Sequence, residues 1–93
     1  MFVIVGEIEL HLPESGSLKD KRQVIKSLKD RLRQRYNLSV AEVDHLELWQ
    51  RSALGLAVVS NAADHADDVL AKAIRYIEED LRVEVIGSSI ERW

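Results

Sequence analysis

The sequence contains no cysteine, and this absence excludes several kinds of chemistry at once. No disulfide can form, no thiolate can bind zinc, and no cysteine can act as a nucleophile. The three histidines, His11, His45 and His65, show neither H-x-x-x-H nor H-E-x-x-H spacing. The sequence therefore predicts no metal site and no cofactor.

Long apolar runs and targeting signals are also lacking. No stretch reaches the ~18 apolar residues of a membrane-spanning helix. The N-terminal segment MFVIVGEIEL meets Glu7 after six residues and has no basic start, which is unlike a signal peptide. Together with the lack of cysteine, these features predict a cytoplasmic location and no membrane partner.

Catalytic motifs are equally scarce. The chain has no GxSxG elbow, no Walker loop, and no arginine-containing loop of the acylphosphatase type after its first strand. Glu7 and Glu9 would share one face of that strand, but paired carboxylates outside a pocket are mostly solvated. We therefore expect a protein that is not an enzyme.

The hydrophobic pattern predicts one domain spanning residues 1–93. The composition, 46% hydrophobic and 31% charged, is typical of a globular fold, and the chain is too short for a second core. The predicted elements are a strand at 2–12, a helix starting at Ser17 and stopping near Asn37, strands at 38–43 and 52–60, a helix capped by Asn61, and a strand at 83–93 interrupted near Gly87.

The order β-α-β-β-α-β is typical of a ferredoxin-like α+β sandwich. In this fold a four-stranded antiparallel sheet carries both helices on one face, because each crossover is right-handed. The first and third strands would be central, and the second sheet face would be open. No aromatic residue is predicted on that open face, which disfavours RNA-recognition-motif readout and leaves self-association as an alternative use.

Positive charge is concentrated in the first predicted helix. Residues 15–36 hold eight of the thirteen basic residues and two acidic ones, whereas the other 71 residues hold five basic and fourteen acidic ones. Five of the cations recur at i+3/i+4 spacing within an arc of about 80°. Such a ridge favours contact with a polyanion, although a solvated helix face is the alternative. The candidate anion-binding residues are Ser17, Lys19, Lys21, Arg22, Lys26, Lys29 and Arg33.

The start of this helix is also a candidate anion cradle. Free backbone N–H groups after Ser15, Gly16 and Ser17 would face any ligand there. Farther along the chain, Trp49 and Arg51 are candidate secondary contacts, since a tryptophan beside an arginine can stack or anchor a partner. The alternative is that Trp49 closes one end of the core.

The chain resembles the uncharacterised bacterial family typified by YlxP. The resemblance rests on IELHLPESGSLKDKRQVIKSL at 8–28, SVAEVDHLELWQR at 39–51 and GLAVVSN at 55–61, and the SLKDKR and LWQR segments are its specific part. It implies a ferredoxin-like fold and a bacterial cytoplasmic setting, but no activity and no catalytic residues. Genes of this family often neighbour those of translation and ribosome-maturation factors, which points toward RNA.

These observations predict a non-catalytic module that contacts RNA, or another polyanion, through its basic first helix in a ribosome-linked setting. Six phosphate contacts would give a log–log salt slope of roughly -5 on a duplex. The alternative is a homo-oligomer or protein-partner adaptor that uses the open sheet face and pairs the basic first helix with the acidic second helix of a neighbour.

Overall fold

The computed structural model describes every residue from Met1 to Trp93 and has the predicted element order. The elements are β1 (Phe2–His11), α1 (Leu18–Arg35), β2 (Ser39–Asp44), β3 (Arg51–Ser60), α2 (Ala63–Glu78) and β4 (Glu84–Arg92). The ferredoxin-like prediction is confirmed. Neither helix is long and apolar enough to cross a membrane.

The four strands form one antiparallel sheet in the order β2-β3-β1-β4, so β1 and β3 are central as predicted. Val5 of β1 lies opposite Ala57 of β3 on one side and Glu91 of β4 on the other. A β-bulge shifts the β1–β4 register after Glu9, which explains the interruption predicted near Gly87.

The core lies between the two helices and one face of the sheet. Alternate residues of β1 are buried, because successive side chains of a strand point to opposite faces. The buried stripe of α2 consists of Ala66, Leu70, Ala73 and Ile77, which recur at three- and four-residue intervals on one side of the helix. Each large apolar side chain buried in this way contributes about 1.5–3 kcal/mol relative to an exposed one.

The two helix starts differ. Ser17 is the N-cap of α1, since its Oγ accepts the Asp20 N–H at 3.0 Å, as the S-x-x-D spacing predicts. The predicted cap of α2 is wrong: Ala62, not Asn61, occupies the N-cap position and has no side-chain hydrogen bond. Instead, Ser60 Oγ accepts the N–H of Ala62 at 3.1 Å, so the polar cap lies in the preceding turn.

A charge cluster joins α1 to the turn that follows α2. The Asp80 carboxylate accepts hydrogen bonds from Arg82 at 2.7 Å and from Arg31 at 2.9 Å, and its side chain is only 7% exposed. The Arg82 hydrogen bond, assisted by Arg31, lowers the pKa of Asp80 to about 2. This carboxylate therefore stabilises the fold while it is ionised.

We expect Asp80→Asn to lower the free energy of unfolding by about 1–2 kcal/mol at pH 7. Because the pKa of Asp80 is about 2 in the folded state and 3.8 without its partners, the stabilisation is complete above about pH 4 and is lost as the pH falls through 2. Urea unfolding at pH 7 and pH 2.5 measures this, and the difference between variant and wild type should shrink at the lower pH.

Asp64→Asn is the matched control, since Asp64 is an exposed residue of α2 without an ion pair. Its effect should stay within about 0.5 kcal/mol at both pH values. A deficit of Asp80→Asn that is equally large at pH 7 and pH 2.5 would contradict the assigned role.

Candidate functional site

The inner stripe of α1 contains a lysine. Leu18, Lys21, Ile25, Leu28 and Leu32 recur at three- and four-residue intervals, which places them on one side of the helix. Lys21 lies between Leu18 and Ile25 in this stripe, and its side chain is 0% exposed. The prediction that Lys21 contacts an external anion is therefore wrong, because no external group can reach its ammonium.

The Lys21 ammonium is surrounded by oxygen atoms of the chain itself. Nζ donates to the backbone carbonyls of His45 at 2.8 Å, Leu46 at 3.1 Å and Arg51 at 3.3 Å. It also lies 3.0 Å from Oε2 of Glu42, which is nearly buried and accepts the Ser52 hydroxyl at 2.7 Å. A buried charge is tolerated only when it is paired and hydrogen-bonded in this way.

These contacts fix the β2–β3 loop, residues 45–50, against the start of α1. The loop is also tied to the β1–α1 turn, because the Gln50 side-chain amide donates to the carbonyls of Ser15 at 3.1 Å and Pro13 at 3.3 Å. The N–H of Leu12 donates to the Gln50 carbonyl at 2.9 Å. The turn, the first turn of α1 and the loop therefore form one rigid unit.

The basic ridge of α1, defined as Lys19, Arg22, Lys26, Lys29 and Arg33, faces away from the core. Lys19, Arg22 and Lys29 have no carboxylate partner within ion-pair distance. Lys26 and Arg33 share one carboxylate, that of Asp30, at 2.8 and 3.7 Å. The hydrogen bond from Lys26 is the main cause of the lowered pKa of Asp30. The basic ridge therefore has five cations and one carboxylate, that of Asp30, paired with them.

The opposite flank of α1 is used for packing. Arg31 pairs with Asp80, and the Arg35 guanidinium lies 4.6 Å from the ring centroid of Tyr76. Arg33, by contrast, donates to the backbone carbonyl of Val40 in β2 at 2.9 Å. The basic ridge therefore runs along the β2 edge of the molecule.

The candidate anion cradle at the start of α1 is filled in part by the chain itself. The Ser17 hydroxyl already accepts the Asp20 N–H, and the Asp20 carboxylate accepts the Gly16 N–H at 3.0 Å. A carboxylate at this position repels a second anion. Because Lys21 is buried, Lys19 and Arg22 are the cations that remain exposed at this end of the helix.

Trp49 does not close the core, so that alternative is wrong. Its side chain is 55% exposed in the 45–50 loop, and those of Leu46 and Leu48 in the same loop are 52% and 48% exposed. Arg51, the other candidate secondary contact, donates to Glu9 Oε2 at 3.1 Å. Its guanidinium therefore serves mainly to hold the base of the loop.

Glu9, Asp44 and His45 lie close together in the structure, although their spacing in the sequence does not predict this. One potential ligand atom of each lies within 4.8 Å of the others. His45 Nε2 and Arg51 both contact the same oxygen of Glu9, at 3.0 and 3.1 Å. A metal ion at this oxygen would meet the positive charge of Arg51, so the donor set fits an internal hydrogen-bond network better than a metal site.

The open face of the sheet carries a shallow groove of about 470 Å³. The groove follows the middle of the sheet, and Val43 closes one side by lying over Gly55, where an added Cβ would stand 2.8 Å from the Val43 side chain. Residues of all four strands line it, among them Val5, Glu7, Ala41, Gly55, Ala57 and Glu91.

Comparison with known proteins places the chain in a family. The family described as "Protein of unknown function (DUF503)" matches residues 3–90. The chain belongs to this family. It is 31% identical over 79 residues to the uncharacterized protein YlxP of Bacillus subtilis (strain 168), an alignment that covers 85% of this chain and 86% of YlxP. The resemblance expected from the SLKDKR and LWQR segments is therefore confirmed.

Among solved structures, the chain is similar to LarC2, the C-terminal domain, in apo form, of a cyclometallase involved in the synthesis of the NPN cofactor of lactate racemase. The identity is 19% and the TM-score 0.49, over all of this chain and 55% of that one. The chain thus spans about half the length of that structure.

Lys21→Met tests the role of the buried ammonium. It removes the charge while keeping most of the side-chain volume, so Glu42 loses its ion-pair partner and three carbonyls each lose the hydrogen bond from Lys21. We expect the free energy of unfolding to fall by about 3–5 kcal/mol, as measured by urea denaturation. Lys26→Met, at an exposed position of the same helix, should change it by less than about 0.5 kcal/mol.

A double variant separates the ion pair from the packing. If Lys21 and Glu42 stabilise each other, Lys21→Met combined with Glu42→Gln should cost less than the sum of the two single changes. Strict additivity, or a Lys21→Met variant as stable as the wild type, would show that the pair does not hold the loop.

Proposed function

We propose that this protein is a non-catalytic binding module that contacts RNA, or a related polyanion, through the basic ridge of α1. The observation that supports this most directly is the five-to-one ratio of cations to carboxylates on the ridge. Lys19, Arg22 and Lys29 have no in-chain partner, so their charge is available to an outside anion. The whole chain carries a net charge of -3, which makes this local excess more distinct.

The structure revises the set of contacts. Lys21 is excluded by its burial, and Ser17 acts as a helix cap. The remaining contacts are Lys19, Arg22, Lys26, Lys29 and Arg33, with Trp49 as a secondary contact and Arg51 as a residue that supports the loop. The proposed setting is the bacterial cytoplasm, with a ribosomal RNA or a ribosome-bound factor as the class of partner.

Binding to RNA should depend strongly on salt. Five phosphate contacts give an expected log–log slope of about -4.5 on a duplex and about -3.5 on a single strand. Lys29→Gln removes an unpaired cation, so it should weaken binding and make the slope less steep by about 0.7–0.9. Fluorescence anisotropy of a labelled RNA, measured from 50 to 200 mM salt, provides both quantities.

Lys72→Gln is the matched control, because Lys72 lies on α2 and is already paired with Asp68 at 3.0 Å. It should leave the slope unchanged. Affinity without salt dependence, or equal losses for Lys29→Gln and Lys72→Gln, would exclude the ridge as the binding surface.

A second candidate function is self-association through the open sheet face, and the groove around Gly55 and Ala57 favours it. Exposed apolar side chains, Val43 and Val59 among them, lie on this face. Pairing of α1 with a neighbour's α2 is less favoured, because Asp67, Asp68 and Asp80 are already bound within the chain. For the open sheet face, the occupant that we propose is a second copy of the chain.

Sedimentation velocity tests this alternative. If the face mediates a dimer, Ala57→Arg should convert the dimer to a monomer, because the large charged side chain would fill the groove that the second copy must occupy. Leu81→Arg changes a residue that is 97% exposed and should leave the dimer intact. A wild-type protein that sediments as a monomer at all concentrations would rule out this function.

A further inference from the structure

The 45–50 loop presents three large apolar side chains on a backbone that cannot easily move. Leu46, Leu48 and Trp49 are each about half exposed. Beneath them, the carbonyls of His45 and Leu46 are held by the buried Lys21 ammonium. A flexible loop would lose conformational entropy on binding, whereas this one has already lost it in folding.

The rigid loop lies next to the exposed cations at the start of α1. Gln50, the neighbour of Trp49, donates to Ser15, which is four residues from Lys19 in the chain. Side chains of a helix lean toward its N-terminus, so those of Lys19 and Arg22 lean toward the same turn. An exposed indole and two unpaired cations therefore lie on segments that the Gln50 hydrogen bonds join, at one corner of the molecule.

We propose that this corner binds single-stranded RNA, with an unpaired base stacked on Trp49 and flanking phosphates bound by Lys19 and Arg22. This inference rests on the RNA-binding function proposed above and specifies the form of RNA. Aromatic side chains next to a basic surface bind single strands because every unpaired base offers a face for stacking. In a duplex the bases are already stacked on one another, so Trp49 would gain no partner.

Fluorescence of the single remaining tryptophan measures the stacking directly. In a Trp93→Phe background, Trp49 is the one tryptophan of the chain. A ten-nucleotide oligouridylate should quench its emission as it binds. An RNA duplex with the same number of phosphates, or heparin, should bind with little quenching, because neither offers an unstacked base.

Substitution of Trp49 provides the second measurement. Trp49→Ala should weaken binding of the oligouridylate about tenfold, which is at the low end of the effect of one stacked base. It should leave heparin binding unchanged, and Trp49→Phe should restore most of the RNA affinity. Because Trp49 is exposed, the fold should tolerate these changes, and far-ultraviolet circular dichroism checks this.

Phe2→Ala is the matched control, since Phe2 is an aromatic residue, 45% exposed, that pairs with Ser60 at the end of β1 farthest from the loop. It should affect neither ligand.

Four results would overturn the proposal. Equal losses of oligouridylate and heparin affinity in Trp49→Ala would show a structural effect. Binding of oligouridylate without quenching would show that the ridge binds RNA while Trp49 does not stack. A blue shift of Trp49 emission with phosphatidylglycerol vesicles, without a response to RNA, would assign the corner to a membrane surface. Heparin binding that is lost in Lys29→Gln, without oligouridylate quenching, would leave the polyanion function standing and remove this refinement.

Discussion

The hydrogen bonds and the ion pair of the buried Lys21 ammonium hold the 45–50 loop against the start of α1. An unpaired charge in the core would cost several kcal/mol, so the chain must bring oxygen atoms to it. Glu42 provides the opposite charge, and the carbonyls at the two ends of the 45–50 loop provide the remaining acceptors. A single side chain on α1 thereby determines the shape of a loop that is more than twenty residues away in sequence.

This role divides the cations of α1 into three groups with different energetics. Lys21 acts inside the protein, where its contribution is measured as folding stability. Arg31 and Arg35 act on the α2 flank, where they bind Asp80 and cover Tyr76. The basic ridge contributes little to folding, because exposed ion pairs are worth less than about 1 kcal/mol, and its charge is therefore free for binding. A count of basic residues alone does not distinguish these groups.

The fold was accessible from the sequence because each element carries its own periodicity. The strand alternation of 2–12, the capping pattern at Ser17 and the apolar stripe of α2 are local signals, and all three agree with the structure. The burial of Lys21 was also predictable from local spacing, because Lys21 lies three residues after Leu18 and four before Ile25, within the apolar stripe. A count of charges does not reveal this spacing. Glu42 and Ser52 left none, since their meeting with Lys21 depends on the packing of α1 against the β2–β3 hairpin.

The same contacts explain why the SLKDKR and LWQR segments occur in one chain. Within the first segment, Ser17 caps the helix, Lys21 holds the loop, and Lys19 and Arg22 remain exposed. Within the second, Gln50 ties the loop to the turn at Ser15, and Trp49 is left outside. The hydrogen bonds of Lys21 and Gln50 hold the two segments together. This arrangement favours one continuous surface. Lys21 and Gln50 fix the backbone positions, and Trp49 and the cations of the first turn of α1 are exposed on it.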